Sequence, residues 1–85
     1  MYIAIGEDFA VRDRNIIGIF DLDNTTTSKK TRDFLKRAEN EGQVLSVTQD
    51  IPKAFVLTQE YGMDKIFLTQ FSTQTLEKRA EKGNY

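Results

Sequence analysis

The sequence predicts an α+β fold: a small antiparallel or mixed sheet of about six short strands with two helices. Two observations carry this. Short apolar runs separated by turn residues follow one another closely, and only Lys29 to Glu41 and the segment opening at Ser72 carry helical signals. The regular alternation of strand and helix that marks a doubly wound fold is missing. With 85 residues and one Pro, a single domain over residues 1–85 is expected. Only 39% of its residues are hydrophobic, so its core is expected to be thin and assembly into an oligomer to add stability.

In chain order, Tyr2 to Ile5 reads as a strand, and Ile5-Gly6-Glu7-Asp8-Phe9 as a hairpin turn into a second strand, Phe9 to Val11. The polar loop Arg12-Asp13-Arg14-Asn15 leads to Ile16 to Asp21, whose nearly continuous apolar run predicts a central strand covered on both faces. Gly18 inside it predicts a close approach to the backbone. Lys29 to Glu41 places Thr31, Phe34, Leu35 and Ala38 at helical spacing, with Thr27 or Ser28 to cap it and Gly42 to end it in a left-handed turn.

Gln43 to Gln49 alternates as a half-buried strand until Asp50-Ile51-Pro52-Lys53 breaks it. A fifth strand, Ala54 to Thr58, is followed by a turn at Tyr61-Gly62-Met63-Asp64 and a sixth strand, Lys65 to Phe71. Ser72 is the predicted cap of the last helix, with Phe71 and Leu76 spaced as a hydrophobic staple. Leu76 and Ala80 give this helix a slim apolar edge, suited to docking on a neighbour or on the sheet edge.

Composition removes most catalytic apparatus. Without Cys there is no disulfide, thiolate metal site or thiol nucleophile, and without His the commonest general base and metal ligand is missing. No signal-peptide pattern opens the chain and no run reaches the length of a membrane helix, so a cytoplasmic protein with no membrane partner is expected. The formal charge of −1, from 12 basic and 13 acidic residues, disfavours nucleic-acid binding through overall positive field but leaves room for a local basic face. Arg12 and Arg14 share one loop, Lys53 follows the Pro52 turn, and Lys29 and Lys30 open the first helix. If these loops share a face, an oligomer would present a rim that binds phosphates. Solvated charges scattered over a small surface, with Asp13 and Asp50 between them, are the plainer alternative.

Ile19-Phe20-Asp21-Leu22-Asp23-Asn24-Thr25-Thr26 resembles the first motif of the haloacid dehalogenase phosphatases. That resemblance would make Asp21 a nucleophile, Asp23 an acid/base and magnesium the cofactor. Such a fold needs several crossover helices, and this chain has one helix between strands. A second resemblance runs nearly end to end. It is carried by Met1-Tyr2-Ile3-Ala4-Ile5-Gly6-Glu7-Asp8-Phe9, Ile16-Ile17-Gly18-Ile19-Phe20-Asp21, Ala38-Glu39-Asn40-Glu41-Gly42, Asp50-Ile51-Pro52-Lys53-Ala54-Phe55-Val56 and Ser72-Thr73-Gln74-Thr75-Leu76-Glu77-Lys78-Arg79-Ala80. In order and spacing these segments resemble the RemA/RemB extracellular matrix regulatory proteins of Gram-positive bacteria.

The resemblance implies a non-enzymatic cytoplasmic regulator of matrix and biofilm genes, without a cofactor, on a LytTR-like fold. It also implies closed rings, double-stranded DNA held by arginines on their outer face, nucleoid association, and, as an alternative route to gene control, a partner regulator protein. The family's contacting arginine before the third strand falls at Asn15, beside Arg14. Its later arginine pair falls at Ile51-Pro52, beside Lys53. Arg12, Arg14, Lys53, Lys29 and Lys30 are therefore the candidate DNA-binding residues.

Overall fold

Side-chain alternation along two long strands organises the molecule. In the computed structural model, which describes residues 1–22 and 28–82, these are β5 (Ala54–Glu60) and β6 (Met63–Thr69). Ala54, Val56 and Phe67 point to one face, and Phe55, Leu57, Ile66 and Leu68 to the other. On the first face lie the hairpin of β1 (Tyr2–Gly6) and β2 (Phe9–Arg12) and the helix α2 (Thr73–Lys82). On the second lies α1 (Lys29–Asn40). A 3-10 turn (Asp13–Asn15), β3 (Ile16–Asp21) and β4 (Val44–Ser46) are the other elements, so among the described residues six strands and two helices make the expected α+β class.

The four-stranded sheet runs β3-β5-β6-β4. β5 is antiparallel to β3 and β6, while β4 is parallel to β6, so β3, β6 and β4 share one direction. β3 is consequently an edge strand and not the expected centre. The β5–β6 hairpin takes the middle because its two-residue loop, Tyr61-Gly62, has both φ angles positive, at 54° and 75°, which suits the twist of a tight hairpin. That loop also places Met63 and Asp64 in β6, two residues before the expected start. A register shift between Ile16 and Gly18 turns Ile17 away from both clusters and leaves it 57% exposed.

Other local expectations hold. A Cβ on Gly18 would stand 2.7 Å from the Phe20 ring, which folds back over it and stacks on Phe55 at 4.8 Å. The Ser28 hydroxyl accepts from the Thr31 amide at 3.2 Å, while Thr27 lies outside the described residues. At the other end of α1, Gly42 adopts φ +73°, its amide donates to Glu39 and that of Gln43 to Ala38, a Schellman ending. β4 is shorter than expected because the Ser46 and Thr48 hydroxyls bond the backbone of Thr48 and Asp50, offering it a turn in place of a ladder.

α2 begins as expected, with Ser72 accepting from the Thr75 amide and Phe71 packed into the cluster of Leu76. It docks within the chain on the hairpin face, against β1 and the edge strand β3, which is the sheet-edge alternative of the two expected. There Leu76 is fully buried, and Arg79 donates to the Ala4 carbonyl at 2.8 Å with its guanidinium over Phe71. Thr69, also fully buried, ties the two layers together, donating to the Ile5 carbonyl and accepting from the Phe71 amide.

Candidate nucleic-acid interface

The sheet sorts the expected basic residues into separate places. Arg12 ends β2, and Arg14 sits in the 3-10 turn that leads to Ile16, opposite Thr58 of β5. Lys53 stands at the other end of the same strand. Its carbonyl accepts from the Leu22 amide and its amide donates to Thr69, both at 2.8 Å, which pins it between the ends of β3 and β6. Four residue steps, or about 13 Å of strand, separate the Ala54 end from the Thr58 end. Lys29 and Lys30 open α1, where Lys30 borders an open apolar cleft of about 310 Å³ with Phe20, Phe34 and Phe55. Within one chain, therefore, these cations do not form one patch.

All five are exposed, and none forms an ion pair among the described residues. Asp13, which separates Arg12 from Arg14, is engaged elsewhere: its carboxylate lies 3.5 Å from the Met1 amine and accepts from the Arg14 amide at 2.8 Å. Arg12 Nε donates to the Tyr2 hydroxyl at 3.2 Å, with the guanidinium carbon 5.6 Å from the Tyr2 ring centre. This hydrogen bond, with the nearby Glu60 carboxylate, raises the Arg12 pKa, so the side chain stays cationic. Arg79 differs, being held over Phe71 and bonded to Ala4 as a packing element.

One cation escaped the sequence argument. Lys65 lies opposite Thr58 and lines a cleft shared with Arg12, Tyr2 and Asn15. Placing the turn at Tyr61-Gly62 alone would have given its register. Asp21 ends β3 opposite Ala54, and Asp23, the other carboxylate of the phosphatase-like motif, lies outside the described residues. Among the described residues no three His, Cys, Asp or Glu side chains cluster as a metal site, and no helix is long and apolar enough to cross a membrane.

Comparison with known proteins decides the family. Residues 2–80 match the RemA-like family, described as extracellular matrix regulatory protein A-like. The chain belongs to this family. It is also 36% identical over 81 residues to extracellular matrix regulatory protein B of Bacillus subtilis (strain 168), covering 95% of this chain and 91% of that protein. The resemblance read from the segments above is thereby confirmed, and the family is a regulatory one. The positions at which that resemblance puts arginines hold a half-buried Asn15, an Ile51 that is 88% exposed, and a half-buried Pro52.

Proposed function

We propose that this single-domain, non-enzymatic protein regulates extracellular matrix and biofilm genes in the bacterial cytoplasm as a homo-oligomer that binds double-stranded DNA through the phosphates. The observation that carries the reading is the set of exposed cations without an ion-pair partner among the described residues, Arg12, Arg14, Lys29, Lys30 and Lys53, in a chain that belongs to a regulatory family. Cations already paired with carboxylates would have to give up those partners to meet a phosphate. These do not.

Assembly accounts for the separation of the cations. Among the described residues β3 pairs with β5 alone and β4 with β6 alone, so each offers an outer edge, and both edges expose apolar side chains, Ile17 and Phe20 on one and Leu45 on the other. The two strands run in the same direction. A β3 edge laid against the β4 edge of a second copy makes a parallel, head-to-tail contact, of the kind that closes into a ring. Repetition then brings the cations of different subunits onto one rim.

The test is a DNA titration of single charge-removing variants. Loss of affinity with Arg12→Gln, Arg14→Gln or Lys53→Gln, equal on unrelated duplexes, supports phosphate contact. Unchanged affinity in all of them removes these loops from the interface. A second reading, a protein-interaction module of the same fold that acts through a partner regulator and binds no DNA, is favoured by Ile51. An isoleucine 88% exposed beside Pro52 suits an apolar partner better than a phosphate. Absence of DNA binding by the assembled protein would select it.

A further inference from the structure

The cleft between the two hairpins is built like a small-molecule site. We propose that it binds a planar ring bearing one anionic head, the chemistry shared by an aromatic carboxylate and a nucleoside monophosphate. The cleft lies where β1–β2 packs against the β5–β6 hairpin and encloses about 230 Å³. A cavity of about 150 Å³ holds one benzene ring, so this volume takes the planar ring of the ligand, and its open mouth lets the remaining substituents project toward solvent.

Its walls are matched to such a ligand. Tyr2 and Phe9 line it while remaining 63% and 40% exposed, and Met63, 63% exposed, adds a polarisable thioether. Phe67, whose ring centre is 5.0 Å from that of Phe9, forms the floor. Exposed aromatic and thioether groups converging on one concavity offer faces and edges for stacking.

The polar groups converge as well. Arg12 spends only Nε on the Tyr2 hydroxyl, so among the described residues its two Nη groups stay free as a fork that fits a carboxylate or phosphate. Lys65 supplies a second cation, and Glu60 is the single carboxylate in the lining. Asn15 is half-buried there, and its side chain makes no hydrogen bond to a described residue, leaving an amide to bond the head or a ring substituent. This site stands whether or not the protein binds DNA.

The test is a titration of the full chain with 4-hydroxybenzoate and, separately, with adenosine monophosphate, followed through backbone amide resonances. Saturable shifts at Phe9, Asn15 and Met63 with either probe are expected. They should weaken about tenfold in Arg12→Gln, the loss typical of one charge-assisted contact. They should vanish in Ala10→Trp, where an exposed residue lining the cleft is enlarged to fill it. Binding of the first probe alone marks a carboxylate site, and of the second alone a nucleotide site. No saturable shift with either, or shifts unchanged in both variants when their spectra stay folded, would overturn the proposal.

Discussion

The two faces of the four-stranded sheet are built from the same strands and finished differently. On the hairpin face Ile3, Ile5, Ala54, Val56, Phe67 and Leu76 form a buried cluster sealed by two covering elements. On the other face α1 packs its Ala38 on Phe55 and Ile66 but leaves Phe20 and Phe34 43% and 41% exposed beside the β3 edge. The first face completes its core within the chain. The second leaves apolar surface next to an edge strand, which the proposed assembly would cover with a second copy.

Substitutions on the two faces should separate them by size of effect. Leu76→Ala removes a fully buried side chain from the sealed face and should cost about 3 kcal/mol in chemical denaturation, whereas Phe34→Ala on the open face should cost under about 1 kcal/mol. Equal losses would erase the contrast. Thr69→Val leaves the Ile5 carbonyl and the Phe71 amide without their partner and should cost about 2 kcal/mol, measured the same way. Ser28→Ala removes the cap of α1 and should cost about 1 kcal/mol, with earlier exchange of the Thr31 amide. Ile17→Lys, at an exposed edge position, should change folding stability by less than about 0.5 kcal/mol and yet shift sedimentation toward the monomer. A monomeric parent protein would contradict the assembly part of the account.

Local signals were legible in the sequence because each is written within a few residues. Ser28, Gly42, Ser72 and the staple of Phe71 with Leu76 act at short range, and the structure uses all of them. Strand order was not legible. The apolar run of Ile16 to Phe20 suits a central strand equally well, and its edge position goes with the hairpin pairing of β5 and β6 through Tyr61-Gly62, which takes the middle of the sheet. The candidate site divided in the same way. The sequence named the exposed cations, but their distribution over two ends of the sheet and one helix depends on register, as does the meeting of Lys65 with Arg12 in one cleft.

The most direct test of the central claim is the salt dependence of duplex DNA affinity for the unaltered protein, with its oligomeric state measured in the same buffer. Phosphate contact by at least three of the five exposed cations predicts that log affinity falls against log salt with a slope of about −2.7 or steeper, since each neutralised phosphate contributes about −0.9. A well-formed oligomer with no measurable binding at low salt, or with affinity indifferent to salt, would contradict it.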